Sequence, residues 1–230
     1  MQQTIEQLGL AYPKSELPHF IVVEGPIGAG KSTLARALAY SLNYDVLLER
    51  PQDNPFLDRF YQDKDNYALQ TQLSFLFQRT RQLDQLKQGD MFRPRLVADF
   101  MLEKDALFAQ ATLDTHELDL YTKVHDQVVV GSPTPDIVVY LQAPVSILLE
   151  RIKMRGIESE KSITASYLER LNSAYMNFFH QYSQSPLLIV NAEEIDFANN
   201  PDHYRDLMSR IIKTKAGRHF YNPSTIIGPR

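Results

Sequence analysis

The architecture of this chain can be predicted from one segment, Phe20-Ile-Val-Val-Glu-Gly-Pro-Ile-Gly-Ala-Gly-Lys-Ser-Thr33. In this segment Gly25 is followed by four residues and then by the tripeptide Gly30-Lys-Ser32. An apolar, β-branched run precedes the loop, and apolar residues at helical spacing follow it over 33–42. Both the pattern and its setting are therefore those of a phosphate-binding loop between a strand and a helix.

The chemistry of such a loop explains the residue types found here. Backbone N–H groups must wrap the phosphate chain, and glycines permit their close approach. Lys31 can reach the outer phosphates, the Ser32 hydroxyl suits Mg²⁺, and the following helix directs its positive end toward the anion. The alternative, a glycine-rich turn that binds nothing, would not need the lysine and the hydroxyl in register. The predicted ATP-binding residues of the loop are Gly25, Pro26, Ile27, Gly28, Ala29, Gly30, Lys31, Ser32 and Thr33.

The composition limits what this protein can bind. A chain of 230 residues is within the range of a single domain. The net charge of -4 and the pI of about 5.9 argue against a sequence-independent nucleic-acid binder, which needs a basic surface. The absence of cysteine excludes disulfides and thiolate metal sites, and it fits a reducing compartment.

The sequence also bears on location. The N-terminal residues lack a basic segment followed by an apolar core, which a secretory signal would need. No apolar run approaches the ~20 residues that a membrane span requires. We therefore expect a cytoplasmic protein with neither a membrane nor a nucleic-acid partner.

Short apolar segments alternate with helical patterns along the chain. Five of them are predicted to be strands, at 20–24, 44–48, 95–98, 137–141 and 187–191. This alternation predicts a three-layer α/β fold in which helices flank a five-stranded parallel sheet. Residues 1–18 are expected to form a loose lead-in, 19–214 the domain, and 215–230 a tail without periodicity.

Two carboxylates follow predicted strands near the phosphate loop. Glu49 follows the second strand and Asp99 the third. Ligands of open parallel sheets lie at the carboxyl ends of the strands, so both residues should lie beside the loop. A carboxylate there can accept a proton from a substrate hydroxyl or help to hold Mg²⁺. Each alone could be an ordinary surface carboxylate, but beside a phosphate loop the functional interpretation is favoured.

Arg151 and Arg155 lie four apart on a predicted helix and therefore share a face. They precede a polar stretch without a core pattern, so we predict a helical lid over 151–163 in which the guanidinium groups neutralise phosphate charge. The alternative is a solvated face on which these arginines pair with Glu150 and Glu158.

Gln72 and Arg79 lie two helical turns apart and also share a face. Their neighbours, including Phe75, are apolar, and buried polar groups need partners. The edge of a nucleobase could supply these partners, as could a hydrogen bond within the protein. The spacing alone slightly favours the hydrogen bond within the protein.

Together these residues resemble those of the deoxynucleoside kinase family, and the resemblance covers roughly residues 18–212. The motifs that carry it are more specific than the phosphate loop alone. They are Glu49 with Asn54-Pro-Phe-Leu57, Tyr61, Gln72 and Arg79, Asp99 with Asp105, and Leu149-Glu-Arg-Ile-Lys-Met-Arg-Gly156 with Glu160. The resemblance implies a P-loop kinase fold with a helical lid and the use of ATP with Mg²⁺.

The resemblance also implies a role for each matched residue. Glu49 would be the base that activates the 5′-hydroxyl, and Gln72 would pair with the nucleobase. Arg79 and Asp105 would form a second polar pair over the base edge. A homodimer through helices near 56–88 and 101–130 is implied as well. The other implied assignments are Tyr61 and Glu160 for the 3′-hydroxyl, Phe56, Phe75 and Asp99 for the nucleoside, Ser32 and Asp99 for Mg²⁺, Arg151 and Arg155 as lid arginines, and Asp196 and Phe197 beside the donor adenine.

Two arginines of the family pattern are missing here. The family often carries Asp/Glu-Arg-Ser after the third strand, whereas this chain has Asp99-Phe-Met101. Lys104, one turn further on, and Arg93 are the cations available to replace that arginine, and the sequence does not show that either reaches the site. The usual third arginine of the lid is also absent, because Ile157 occupies the position after Gly156. These departures bear on catalytic efficiency more than on reaction type.

The resulting hypothesis is phosphoryl transfer from ATP·Mg²⁺ to the 5′-hydroxyl of a deoxyribonucleoside, in nucleotide salvage. The charge pair Arg79 and Asp105 favours a purine or cytosine base over thymine. One alternative is a nucleoside monophosphate kinase of the thymidylate type, which would need a basic acceptor site from Arg79, Arg93 or Arg95. The other alternative is a non-catalytic nucleotide-binding module, and the absence of arginine at Phe100 is its best support.

Overall fold

A parallel sheet forms the centre of the fold. The computed structural model describes residues 3–89, 95–129, 131 and 133–223. Within these residues the sheet has six strands: β1 (Phe20–Glu24), β2 (Asp45–Leu47), β3 (Leu96–Ala98), β4 (Ile137–Gln142), β5 (Leu187–Asn191) and β6 (Arg218–Tyr221). Their order is β2-β3-β1-β4-β5-β6, and every neighbouring pair is parallel. This order places the loop after β1 at the middle of the sheet.

Helices connect these strands and cover both faces of the sheet. Among the described residues the α-helices are α1 (Lys31–Leu42), α2 (Leu57–Gln62), α3 (Lys64–Gly89), α4 (Glu103–Thr112), α5 (Thr115–Val128), α6 (Val145–Arg155), α7 (Ala165–Gln181) and α8 (Pro201–Lys213). Short 3-10 helices lie at Lys14–Glu16, Pro51–Asp53 and Glu158–Ser162. None of the described helices combines the length and the apolar character that a membrane span would need.

Two helices begin at residues whose side chains cap them. The Asp114 carboxylate accepts hydrogen bonds from the backbone N–H groups of His116 at 2.8 Å and Glu117 at 2.9 Å, so Asp114 caps α5. The Thr164 hydroxyl accepts one from Tyr167 N at 3.3 Å and caps α7. Both caps satisfy N–H groups that the first helical turn leaves without partners.

The hydrophobic core is divided by the sheet, as the alternation of strand side chains requires. Ile21 and Val23 pack on one face, in the cluster that contains the buried residues of α1 and α8. Val22 packs on the other face, with Leu107 of α4 and Phe179 of α7. The predicted three-layer arrangement is therefore confirmed.

The sheet has one strand more than the five predicted. β6 lies in the segment expected to be a tail without periodicity, and it pairs with β5 from Leu187 opposite Arg218 to Val190 opposite Tyr221. Of its four residues only Tyr221 is buried. An edge strand that buries one side chain has no alternating apolar pattern, so the sequence could not reveal it.

The first 18 residues also differ from the loose lead-in expected. Leu8 and Leu17 are buried in the main core cluster. Ile5 N donates a hydrogen bond to Ser41 O at 3.1 Å, and the hydroxyls of Tyr12 and Ser209 lie 3.1 Å apart. Isolated apolar residues in a polar, proline-containing segment gave no periodic signal, yet they attach this segment to α1 and α8.

Candidate active site

The carboxyl ends of the central strands open into a cavity of about 800 Å³. It brings together most of the residues singled out from the sequence. Those that line it are Ile27, Gly28, Ala29, Gly30, Lys31, Ser32, Thr33, Glu49, Tyr61, Gln72, Phe75, Arg79, Asp99, Arg151, Arg155, Glu160, Asp196 and Phe197. Four predicted site residues are not part of the lining: Gly25, Pro26, Phe56 and Asp105.

The phosphate loop is shaped by glycines whose neighbours leave no room for a side chain. Gly28 has φ +86°, and a Cβ there would lie 2.8 Å from the carbonyl oxygen of Leu148. Gly30 has φ +99°, and a Cβ there would lie 3.1 Å from the Phe197 ring. The second contact brings the predicted adenine-side residue directly against the loop.

Lys31 is held in place inside the loop. Its Nζ donates a hydrogen bond to Pro26 O at 3.1 Å. Burial, together with the positive charge of Lys104, lowers the pKa of Lys31 to about 8, although Glu24, Glu49 and Asp99 oppose this shift. A phosphate anion would favour the charged form of this lysine, so the loop is suited to receive one.

Asp99 links the phosphate loop to the end of β2. Its Oδ2 accepts a hydrogen bond from Ser32 Oγ at 2.5 Å, and its Oδ1 accepts one from Glu49 N at 2.7 Å. Asp99 is itself buried. The two strand-end carboxylates therefore lie side by side, as predicted from the parallel sheet.

Glu49 lies between two cations. Its Oε1 accepts hydrogen bonds from Arg79 Nε at 2.8 Å and from Lys104 Nζ at 3.2 Å. Burial raises the pKa of the Glu49 carboxyl, but the opposing charges of Arg79, Lys104 and Lys31 outweigh this effect and bring the pKa below its ordinary value. The carboxylate is therefore ionised and can accept a proton.

Arg79 also forms the ion pair predicted with Asp105. Asp105 is fully buried behind the arginine, so it acts on the cavity through Arg79 rather than by lining it. Phe75 lies under the Arg79 guanidinium, whose carbon is 4.8 Å from the ring centroid. Gln72 lines the cavity and also donates a hydrogen bond to Thr112 Oγ1 at 3.3 Å. Gln72 can therefore hydrogen-bond within the protein and still face a nucleobase in the cavity.

The residues predicted to form a lid line the cavity from α6 and from the 3-10 helix that follows it. Arg155 pairs with Glu160, with Nη2 2.6 Å from Oε1, and Arg151 Nη2 donates to Ala192 O at 2.7 Å. The alternative pairing of these arginines with Glu150 and Glu158 is not observed, and Glu158 pairs instead with Lys161. Tyr61 is buried opposite this segment, and burial raises the pKa of its hydroxyl well above 10.0, so Tyr61 is neutral.

Phe56 does not line the cavity, so the structure adds no support to its predicted place in the nucleoside site. It lies in a second, separate groove with Leu73 and Phe77 of α3. In the same motif, Asn54 and Leu57 line the main cavity instead. The turn through Pro55 directs Phe56 away, and residue spacing alone cannot give the direction of a turn. Gly25 and Pro26 open the loop but are not part of the cavity lining.

Glu24 is a buried carboxylate beside this site that sequence reasoning missed. It ends β1 and is fully buried. Its carboxylate accepts hydrogen bonds from Gly25 N at 3.1 Å, Met101 N at 2.9 Å and the Tyr175 hydroxyl at 3.1 Å, and burial raises its pKa. The signal was present in the sequence, because a carboxylate ending an otherwise apolar central strand must have partners.

The missing arginines leave two positions with apolar side chains. Phe100 is buried against Leu83 and Leu102, away from the cavity lining. Ile157 lines the cavity and is partly exposed. Of the other cations considered, Arg95 lies over the Tyr44 ring at 5.7 Å and Arg93 lies outside the described residues, whereas Lys104 reaches the site.

Comparison with known proteins identifies similar chains. A family model described as deoxynucleoside kinase matches residues 21–215. A deoxyguanosine kinase of Bacillus subtilis (strain 168) is 34% identical over 201 residues, which are 84% of this chain and 95% of that protein. A deoxyadenosine/deoxycytidine kinase of the same organism is 28% identical over 208 residues, which are 86% of this chain and 93% of that protein.

Solved structures agree with these matches. A deoxyadenosine kinase from M. mycoides with bound dCTP superposes with a TM-score of 0.72 at 27% identity. The superposition covers 84% of this chain and 98% of that one. The same M. mycoides protein has also been solved with bound dATP, again at a TM-score of 0.72.

Proposed function

This chain belongs to the deoxynucleoside kinase family and phosphorylates deoxynucleosides, and we propose that Glu49 is the general base of the transfer from ATP to the 5′-hydroxyl. One observation carries this proposal: the ionised Glu49 carboxylate and the phosphate loop line the same cavity of about 800 Å³. A base must lie within reach of both the acceptor hydroxyl and the phosphate it attacks. The shared cavity supports such an arrangement.

The chemical step follows from this arrangement. The proton of the 5′-hydroxyl moves to Glu49 as a bond forms between O5′ and the γ-phosphorus of ATP. The bond from that phosphorus to the bridging oxygen breaks, and ADP leaves. Lys31 and the loop N–H groups bind the donor phosphates, and Arg151 and Arg155 neutralise charge on the transferred group.

Mg²⁺ fits the oxygen groups beside the loop. Ser32 Oγ and Asp99 Oδ2 lie 2.5 Å apart, and Mg²⁺ in such sites is held by one or two protein groups together with substrate phosphates and waters. Among the described residues there is no cluster of three or more His, Cys, Asp or Glu that could hold a metal, so the phosphates would supply the other ligands. Ser32 and Asp99 are therefore the proposed Mg²⁺ residues. When bound, the ion neutralises phosphate charge.

The nucleoside would occupy the part of the cavity between α3 and the lid. Gln72 and Arg79 would read the base edge, with Phe75 beneath the base and Asp105 fixing Arg79. A guanidinium held by a buried carboxylate presents N–H donors, which suits the acceptor nitrogens of a purine or of cytosine better than thymine. The named relatives act on deoxyguanosine, deoxyadenosine or deoxycytidine, which supports the same preference.

The lid would complete the site around the sugar. We propose that the lid comprises residues 151–163. Glu160 and Tyr61 would bind the 3′-hydroxyl, and Asp196 and Phe197 would border the donor adenine. Phe197 lies against Gly30, which supports an adenine position next to the loop.

A homodimer is proposed through the helices near 56–88 and 101–130. Phe77 on α3 is 46% exposed and Leu120 on α5 is 50% exposed, and large apolar side chains of this kind are common at subunit interfaces. Light scattering coupled to size exclusion would measure the mass against 26.5 kDa per chain. The cytoplasmic location remains a prediction.

The experiment that tests the function is an acceptor screen. The protein is incubated with ATP and Mg²⁺ and with each of the four deoxynucleosides, and with thymidine monophosphate as a nucleotide acceptor. We expect monophosphates from deoxyguanosine, deoxyadenosine or deoxycytidine, with little product from thymidine. If the folded protein forms no monophosphate from any deoxynucleoside, the proposal is rejected. If it phosphorylates thymidine monophosphate but none of the deoxynucleosides, the thymidylate-type alternative, which is otherwise not favoured, would apply.

A further inference from the structure

Lys104 is a buried cation that the proposed mechanism does not yet use. It lies in α4, is 2% exposed, and lines the same cavity as Glu49 and the phosphate loop. Its Nζ donates a hydrogen bond to Glu49 Oε1 at 3.2 Å. A buried ammonium is costly even when opposite charges compensate it, so its retention at this position calls for an explanation.

One explanation is purely structural: Lys104 could neutralise the buried Glu24. The Lys104 ammonium, however, lies 4.0 Å from Glu24 Oε1, beyond hydrogen-bond distance. Glu24 already accepts three hydrogen bonds, from Gly25 N, Met101 N and the Tyr175 hydroxyl. The hydrogen bond of Lys104 is therefore directed to the base rather than to Glu24.

Two of the described cations of the cavity hydrogen-bond to Glu49, namely Arg79 and Lys104. Arg79 is also paired with the buried Asp105, whereas the other cations bind elsewhere: Arg155 to Glu160, Arg151 to Ala192 O and Lys31 to Pro26 O. Within the described part of the chain, the Lys104 ammonium makes one hydrogen bond, to Glu49. Because an ammonium has three N–H donors, two are available to a ligand beside the base.

We propose that Lys104 is a catalytic residue of the phosphoryl transfer, whose ammonium stabilises the acceptor oxygen as its proton leaves for Glu49. This inference rests on the proposed function. Before the transfer, Lys104 binds the ionised Glu49. When the 5′-hydroxyl proton reaches Glu49, the carboxyl becomes neutral and negative charge develops on O5′ and the transferred group. The attraction felt by the ammonium therefore moves from Glu49 to that oxygen, and Lys104 keeps its own protons throughout.

The neighbouring sequence explains why this cation comes from α4. Phe100, the residue after Asp99, is 1% exposed and packs with Leu83 and Leu102. An arginine at position 100 would have to begin from this apolar cluster, away from the cavity. Position 104, the second residue of α4, lines the cavity with Glu49 and the phosphate loop.

The test compares turnover by the wild type, Lys104→Met and Lys104→Arg. Methionine keeps the length of the side chain without its charge. We expect Lys104→Met to lower kcat by about 10²- to 10³-fold, the usual effect of removing one donor to developing charge, with the nucleoside Kd changed less than about threefold. Lys104→Arg should recover part of the loss. Lys213→Met, which removes an exposed lysine at the end of α8, is the control and should keep full activity.

A second variant separates catalysis from structure. The double variant Glu24→Gln/Lys104→Met removes both buried charges. It should therefore avoid the loss of stability that an unpaired Glu24 would cause. If the single variant Lys104→Met does not fold, the double variant is used in its place. A catalytic lysine predicts that the double variant is folded but still slow. A merely structural lysine predicts that kcat returns to the wild-type value.

These experiments distinguish a failure of the proposed role of Lys104 from a failure of the proposed function. If the wild type forms no monophosphate, the proposed function falls and this inference falls with it. If the wild type is active and Lys104→Met, or the folded double variant, keeps kcat within about threefold, only the role of Lys104 is overturned.

Discussion

Arg79 donates from its Nε to Oε1 of Glu49 at 2.8 Å, so the residue proposed to read the nucleobase also holds the proposed catalytic base. Through its other end the same guanidinium pairs with the fully buried Asp105. The proposed recognition of the nucleobase and the position of the proposed general base therefore share one side chain. A nucleobase that displaces Arg79 would also change the surroundings of Glu49.

Removing Arg79 should destabilise the fold. Arg79→Met would leave Asp105 buried without its partner, and breaking a buried pair in this way costs about 3–5 kcal/mol. The double variant Arg79→Met/Asp105→Asn should regain most of that free energy of unfolding, because the buried charge is then gone. Urea denaturation of both variants measures the difference. If the free energy of unfolding of Arg79→Met lies within about 1 kcal/mol of the wild-type value, the ion pair between Arg79 and Asp105 is accessible to water.

The 3′-hydroxyl should be recognised by Glu160. Replacing this carboxylate with an amide, Glu160→Gln, should raise the KM for a 2′-deoxynucleoside about tenfold, since a charged hydrogen bond is lost. The KM for the matching 2′,3′-dideoxynucleoside should hardly change, because that analogue never makes the contact. Steady-state kinetics with the two acceptors check this prediction. An equal increase in KM for both acceptors would show that Glu160 does not recognise the 3′-hydroxyl but affects the predicted lid as a whole.

Gly28→Ala should weaken ATP binding at least tenfold. The added Cβ would lie 2.8 Å from the carbonyl oxygen of Leu148, and the loop would have to move out of its phosphate-binding shape. Gly9→Ala is the matched control, since Gly9 also has a positive φ but has nothing within 4 Å of its Cβ position. Isothermal titration with ATP compares the two. Equal ATP affinity in both variants would contradict the loop assignment.

Stability should depend on pH through Glu24. Burial raises its pKa above 4.5 in the folded state, with Lys104, Lys31 and Glu49 acting on it as neighbouring charges. Between pH 4.5 and the raised pKa, the folded protein binds a proton at Glu24 that the unfolded chain lacks. This group alone therefore makes the free energy of unfolding fall as pH rises, by at most about 1.4 kcal/mol per pH unit.

The variant Glu24→Gln lacks this slope. The free energy of unfolding of the wild type minus that of Glu24→Gln should therefore decrease as pH rises from about 4.5, while most other titrations cancel in the difference. Denaturation curves at a series of pH values measure it. A difference that stays constant or increases with pH would contradict a raised pKa at Glu24.

Much of this site could be predicted from the sequence because its signals are local or topological. The phosphate loop is a contiguous pattern, and Glu49 and Asp99 follow adjacent parallel strands, which fixes their ends at one edge of the sheet. Helical spacing likewise put Gln72 and Arg79 on one face. All four of these side chains line the cavity.

What the sequence could not reveal depends on packing and on the direction of turns. β6 buries one residue of four, and Leu8 and Leu17 attach the first segment without any period. Phe56 follows a turn whose direction no spacing gives. Lys104 was one of two possible cations, and only the packing of α4 beside Glu49 distinguishes it from a surface lysine.

The most direct test of the central claim is the rate of the chemical step in Glu49→Gln. Single-turnover transfer from ATP to a deoxynucleoside is measured by rapid quench, with Glu150→Gln on the exposed face of α6 as the control. A general base contributes about 10²- to 10⁴-fold, so we predict a loss of that size in Glu49→Gln with nucleoside affinity within about threefold of the wild type. An undiminished rate in Glu49→Gln would contradict the account.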